Sequence, residues 1–149
     1  VCVGSDRDTL AFLKAECQRL GVDTHVRFLG FVDRSELLAL YQGAAALAYA
    51  SLCGPENLPP LEAFALGIPV LNSDFPGARE QLGDAAVLVQ GTSPQAWADA
   101  IHLVISDGAK REALIREGRA RAKARSAQVF VRAALQSISE FAQQRRLWA

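Results

Sequence analysis

The residues best placed to do chemistry lie in one stretch, Ser51-Leu52-Cys53-Gly54-Pro55-Glu56-Asn57-Leu58-Pro59-Pro60-Leu61-Glu62. Gly54 allows a tight backbone turn. Asn57 has the side chain of a helix cap, and Pro59-Pro60 opens a helix where a missing N–H costs nothing. The N–H groups near Asn57, Leu58 and Leu61 then face the loop at the positive end of the helix dipole, which suits an anion. Glu62, one turn in, carries a carboxylate that can accept two hydrogen bonds from vicinal hydroxyls, as in a ribose. The plainer readings are a favourable acid in a first helical turn for Glu62 and an exposed loop acid for Glu56. On spacing alone the plainer readings are preferred.

No other motif competes. The chain has no G-x-G-x-x-G after a strand, no Walker A, no H-E-x-x-H and no G-x-S-x-G. His25 and His102 lack metal-like neighbours and read as surface or satisfied histidines. Cys2, Cys17 and Cys53 are odd in number and irregular in spacing, which fits neither a disulfide framework nor zinc. They read as buried small hydrophobes in a reducing compartment.

The elements that must position the loop follow from periodicity. Short apolar runs at Val1–Val3, Val26–Leu29, Leu47–Ala50, Pro69–Leu71 and Ala86–Val89 predict five strands. Amphipathic stretches lie between them. Leu10, Leu13, Cys17 and Leu20 mark one helix that stops at Gly21, and Asp33 with Glu36 forms a capping box ahead of Leu37, Leu40 and Tyr41. Further helices are expected from Pro59 to Gly67, from Gly77 to Leu82 and from Ser93-Pro94 through Val104. After residue 106 only helices are expected, one over about Ala109–Arg125 and one through Phe130, Ala134, Ile138 and Phe141. Near-continuously apolar strands alternating with helices imply a Rossmann-like, doubly wound parallel sheet with extra C-terminal helices. In such a sheet ligands sit at the carboxyl ends of the strands. Those loops here contain Gly4-Ser5-Asp6, Gly30-Phe31-Val32-Asp33, Ser51–Leu58 and Asn72–Gly77.

Composition supports an ordered domain: 149 residues, 50% hydrophobic, 21% charged, with 11 Gly and 6 Pro. The longest apolar run, Ala44–Ala50, is far shorter than the ~18 residues of a membrane span. No leader peptide is visible. With no Met and a strand pattern already at Val1-Cys2-Val3, the chain reads as a piece of a longer protein that begins inside a domain. Residues 1–108 carry 6 basic and 13 acidic side chains, whereas 109–149 carry 10 and 3. The two parts should attract each other or different partners. A basic helical tail could touch acidic lipid or nucleic acid, but a solvated helix face is the preferred reading, because no aromatic stripe interleaves the charges. Cations are scarce in the strand loops, with only Arg7, Arg34 and Arg79 nearby, fewer than a diphosphate would want.

The runs Val26-Arg27-Phe28-Leu29-Gly30-Phe31-Val32, Glu36-Leu37-Leu38-Ala39-Leu40-Tyr41 and Pro55-Glu56-Asn57-Leu58-Pro59-Pro60-Leu61-Glu62-Ala63-Phe64-Ala65-Leu66-Gly67-Ile68-Pro69-Val70 are familiar in this order. Together with Ser73-Asp74-Phe75-Pro76-Gly77 and Gly83-Asp84-Ala85-Ala86, they closely resemble the C-terminal, nucleotide-sugar-binding domain of GT-B glycosyltransferases. The match is to family four, the glycosyl transferases group 1, and it covers almost the whole chain.

The resemblance implies a cytoplasmic enzyme, placed at the inner face of the membrane where its acceptor is lipid-linked. It would transfer a sugar from a nucleotide-diphosphate donor to a glycan or lipid-linked acceptor in polysaccharide synthesis, with retention and without a required metal. It implies residues 1–108 as the donor-binding sheet domain, its first β-α unit lying upstream, and 109–149 as basic helices packing on it or crossing to an N-terminal partner domain. By the same resemblance the backbone of Phe31 and Val32 meets the base, Glu62 holds the ribose, Asn57 and Leu58 offer N–H groups to the diphosphate or sugar, and Gly4 lies in a strand-end turn beside the donor.

Two departures stand out. Where the family has the first glutamate of its E-x7-E motif, this chain has Gly54. Either Glu56 reaches the donor sugar as the catalytic carboxylate from a reshaped loop, the preferred reading, or that contact is lost. The family's diphosphate-binding Arg and Lys would lie upstream of Val1, so the chain alone is expected to be inactive. Other readings are a nucleotide-binding or scaffold module without turnover, and a sugar-nucleotide epimerase of the same fold.

Overall fold

A computed structural model of the protein describes residues 1–5, 9–51, 57–90 and 92–146. The chain divides into two compact units, Val1–Leu40 and Tyr41–Ala149.

The first unit starts with β1 (Cys2–Val3), followed by α1 (Leu10–Arg19), β2 (Phe28–Gly30) and the start of α2 (Arg34–Gly43). β1 and β2 pair in parallel, with Cys2 opposite Phe28 and Val3 opposite Gly30. The capping box forms as its spacing requires: Glu36 N–H donates to Asp33 Oδ1 at 2.8 Å and Asp33 N–H donates to Glu36 Oε2 at 3.0 Å. Hydrogen bonds from the Ser35 hydroxyl and then from the Glu36 N–H hold the Asp33 carboxyl below its ordinary range. The expected burial of β1 is not found. Cys2 and Val3 are exposed and Cys17 is half-buried; among the described residues β1 has one neighbouring strand, β2. Cys53 lies outside the described residues.

The second unit holds β3 (Leu47–Tyr49), α3 (Leu58–Leu66), β4 (Val70–Ser73), α4 (Ala78–Leu82), β5 (Ala86–Val89), α5 (Pro94–Ser106), α6 (Gly108–Ala124) and α7 (Ala127–Arg146). Its sheet is parallel in the order β3-β4-β5, with Leu47 opposite Val70 and Val70 opposite Ala86. All four residues of the central strand β4 are buried, which its uninterrupted run demands. Leu71 and Val89 from the sheet meet Ala100 and Val104 of α5 and Leu114 of α6 in one apolar core, with Trp97 packed against it. Pro94 stands in the first turn of α5, and the Ser93 hydroxyl accepts from the Ala96 N–H at 3.3 Å. Asp107 caps α6 through Lys110 N–H at 2.9 Å. Within each unit the strands pair in parallel and alternate with helices, in a two-stranded sheet in the first and a three-stranded sheet in the second, among the described residues.

α6 explains much of the basic tail. Its arginines are spent on backbone carbonyls more than on carboxylates. Arg121 Nε donates to the Gln81 carbonyl at 2.9 Å and its Nη2 to the Glu80 carbonyl, to which Arg125 Nη2 also donates at 2.8 Å. Arg119 lies over Gly67, the left-handed residue that ends α3 (φ 75°). Cations therefore stand at the C-terminal ends of α3 and α4, where the helix dipole favours them. Among the described residues the ion pairs are local ones, Arg19–Glu16, Arg79–Asp74 at 3.8 Å and Arg116–Glu117 at 3.6 Å. Most basic residues of the tail are exposed, as a solvated helix face requires, while Arg121 is half-buried against the end of α4.

α6 approaches α3 most closely at Gly118, where an added Cβ would stand 2.8 Å from Phe64 Cδ1. Gly118→Ala is expected to cost about 1–3 kcal/mol, the usual range for overpacking, despite the better helix propensity of alanine. Urea denaturation of the two proteins measures it; equal midpoints would show that the interface relaxes freely. On α7 Phe130, Ile138 and Phe141 are exposed and Ala134 is half-buried, so the apolar face read from the sequence is largely uncovered among the described residues.

Candidate functional site

In the first unit, Gly4 ends β1 with φ 140°, and its N–H donates to the Gly30 carbonyl at 2.9 Å. That bond joins the carboxyl ends of β1 and β2. Gly4 is thereby brought beside the loop that carries Phe31 and Val32. A cavity of about 170 Å³ opens there, lined by Val3, Gly4, Ser5, Thr9, Leu10 and Gly30 among others. Phe31 is 89% exposed and Val32 is half-buried. An aromatic ring this open at a strand's carboxyl end makes little packing contribution, which fits a loop whose residues are used for something other than the core.

In the second unit, Asn57, Leu58 and Glu62 come together at the start of α3. Asn57 occupies the position before the helix, but not as an ordinary cap. Its backbone is left-handed (φ 41°, ψ 54°), its side chain makes no capping hydrogen bond, and the residue is 6% exposed. Among the described residues it is the one non-glycine residue with positive φ. Asparagine tolerates that conformation better than other side chains, and such outliers collect at binding sites. The Gln81 amide donates to the Asn57 carbonyl at 3.4 Å. Pro59 and Pro60 have no N–H, so in the first turn of α3 only Leu58 and Leu61 can turn a backbone donor toward the loop. Leu58 is 53% exposed.

Glu62 lies on the exposed face of α3, opposite buried Pro60, Ala63 and Phe64. Its Oε2 accepts a hydrogen bond from the Tyr41 hydroxyl at 3.2 Å, and the same hydroxyl lies 3.4 Å from the Pro59 carbonyl oxygen. Tyr41 is 9% exposed. Burial, then the negative charge of Glu62, pushes its phenol up to about 12, so it remains a neutral donor at physiological pH. Sequence reasoning placed Tyr41 on the apolar face of α2. The available signal was its hydroxyl, since a buried tyrosine normally finds a partner for it. Gln81 was missed because a helical glutamine carries no positional signal.

Glu56 and Gly54 lie outside the described residues. Among the described residues, no three His, Cys, Asp or Glu side chains converge on a common metal position, and no helix is long and apolar enough to cross a membrane.

Comparison with known proteins matches residues 1–121 to the profile of glycosyl transferases group 1. A D-inositol 3-phosphate glycosyltransferase from Corynebacterium urealyticum is 35% identical over 113 residues, 74% of this chain and 27% of that protein. The O-antigen chain mannosyltransferase RfbU of Salmonella typhimurium is 40% identical over 76 residues, 51% of this chain and 22% of its own. The chain therefore spans about a quarter of the length of these relatives. Among solved structures, Anabaena HepE in complex with UDP and glucose superposes with a TM-score of 0.80 at 26% identity, covering 95% of this chain and 39% of that one. Sucrose-phosphate synthase from Thermosynechococcus elongatus gives 0.80 at 25% identity, covering 95% and 38%. With parallel strands, helices between them and a profile match over four-fifths of its length, this chain belongs to the glycosyl transferases group 1 family of GT-B fold.

Proposed function

We propose that the chain is the donor-binding part of a retaining glycosyltransferase, moving a sugar from a nucleoside-diphosphate sugar to a glycan or lipid-linked acceptor. The observation that carries this reading is the Glu62 carboxylate, exposed one turn into α3, the helix that follows β3, in a chain of this family. A carboxylate there accepts from both ribose hydroxyls, and the Leu58 and Leu61 N–H groups lie at the helix end that favours a diphosphate. The backbone of Phe31 and Val32 meets the base, and Gly4 allows the donor to approach the strand ends. Glu56 contacts the donor sugar in place of the family's glutamate at position 54. The likeness to a structure solved with UDP and glucose supports a donor of this class.

Transfer requires the leaving diphosphate to be stabilised as charge develops on it. The sequence puts few cations in these loops, so in this reading the remaining positive charge and the opposing wall of the cleft come from a longer protein, along with the acceptor site. No metal is required in this reading. Gly54 favours one alternative, a nucleotide-binding module without turnover.

The test uses the complete protein that carries this chain. UDP-, GDP- and ADP-sugars are incubated with and without an acceptor preparation, and release of the nucleoside diphosphate is followed. One donor is expected to be consumed faster with acceptor, and the product's anomeric configuration, read by NMR, is expected to match the donor's. Nucleotide binding without donor consumption under any condition overturns the transferase reading in favour of the silent module.

A further inference from the structure

We infer that Tyr41 is a positioning residue for ribose recognition, its buried hydroxyl fixing the carboxylate of Glu62 in the orientation that receives two vicinal hydroxyls. This rests on the ribose reading of Glu62. A glutamate on an exposed helix face samples several rotamers, and holding one of them for a ligand costs entropy at the moment of binding. Here the cost is reduced in advance. The Tyr41 ring is packed (9% exposed), so its hydroxyl is a fixed point, and it donates to Glu62 Oε2 across 3.2 Å.

One bond to one oxygen leaves Oε1 and the second lone pair of Oε2 open, enough for a bidentate diol. The Pro59 carbonyl oxygen, 3.4 Å from the same hydroxyl, competes for its single proton, and the shorter, charged contact to Glu62 at 3.2 Å is the stronger of the two. Burial and then the Glu62 charge push the phenol up to about 12, so at neutral pH it is the protonated partner that donates. Tyrosine at position 41 thus supplies something phenylalanine cannot, although either ring would fill the space.

The experiment compares ribonucleoside and 2′,3′-dideoxyribonucleoside diphosphates of the same base, by calorimetry, in the complete protein that carries the chain. Tyr41→Phe is expected to lose about 3- to 10-fold in affinity for the ribonucleotide, the scale of one hydrogen bond, and little for the dideoxy form. The ratio between the two ligands falls, a readout that loosened packing alone would not move. An equal loss for both ligands, or an unchanged ratio, overturns the inference. Glu62→Ala separates the layers: if it leaves the ratio unchanged, the ribose reading itself fails, whereas a ratio lost in Glu62→Ala and kept in Tyr41→Phe removes only Tyr41.

Should Tyr41→Phe fail to fold, 3-fluorotyrosine placed at position 41 reports from the intact site. Its fluorine resonance is expected to shift with the ribonucleotide and to stay nearly still with the dideoxy form. Identical shifts with both ligands overturn the inference.

Discussion

Glu62→Ala lowers the affinity for ribonucleoside diphosphates about 10- to 100-fold while leaving the unfolding midpoint nearly unchanged. The binding loss follows from what a carboxylate does for a diol. Each hydrogen bond from a hydroxyl to a charged oxygen is worth about 1.5–3 kcal/mol; losing two outright would exceed about 100-fold, and water that replaces part of them on an exposed helix face brings the loss into this range. The removed group also leaves two ribose hydroxyls without partners in a partly desolvated site, so the upper part of the range is reached only where water cannot replace them. The stability expectation follows from location. Glu62 is on the exposed face of α3, and its one recorded side-chain partner is Tyr41 at 3.2 Å. Surface substitutions of this kind usually fall within about 0.5 kcal/mol, and alanine is the better helix former. Calorimetric titration of both proteins with UDP, GDP and ADP, beside thermal melts, measures the two quantities. Equal nucleotide affinity with intact folding would remove Glu62 from the ribose and, with it, the observation on which the donor-site reading stands.

How much of this was legible beforehand depends on the kind of signal. Helix ends were readable because caps are local chemistry: Asp33 with Glu36 and Ser93 with Pro94 at starts, and Gly67 at a stop, each act within a few residues of themselves. β4 was readable because a strand covered on both faces leaves an unbroken apolar run. Burial of β1 was not, since the same run of Val1-Cys2-Val3 is apolar whether or not anything lies over it. The apolar stripe of α7 fails in the same way, for periodicity records a face and not its cover. Asn57 was placed correctly before a helix, but its left-handed backbone was not legible, since asparagine tolerates that conformation without requiring it. The tail's arginines read as a charge excess; that Arg121 and Arg125 end on the carbonyls of Glu80 and Gln81 needs contacts some forty residues apart. Tyr41 belongs to the same class: its aromatic ring was visible in the pattern, and its hydroxyl acquires meaning only when α3 brings Glu62 to it.

The second large effect lies two residues along the same helix. Phe64→Ala is expected to cost about 3–5 kcal/mol, the range for truncating a fully buried aromatic side chain. Phe64 is 1% exposed and fills the contact between α3 and α6, so close to Gly118 that no Cβ fits there without displacement. The cavity cannot collapse cheaply, because α6 is also held by Arg121 and Arg125 at the end of α4 and by Leu114 in the core. A small domain has about 5–15 kcal/mol of total stability, so this variant stands near its unfolding threshold. Urea denaturation should show a much lower midpoint with an unchanged slope. Phe64→Leu should cost less than half as much, and combining it with Gly118→Ala should be less damaging than the sum, because a smaller ring position relieves the 2.8 Å approach. Simple additivity would place the two residues in independent environments and contradict the packing. Positions 62 and 64 therefore form an internal control. One helix presents a carboxylate outward and a phenyl ring inward, so removing the first should weaken recognition in a fully folded protein, and removing the second should take recognition away only as far as the fold is lost.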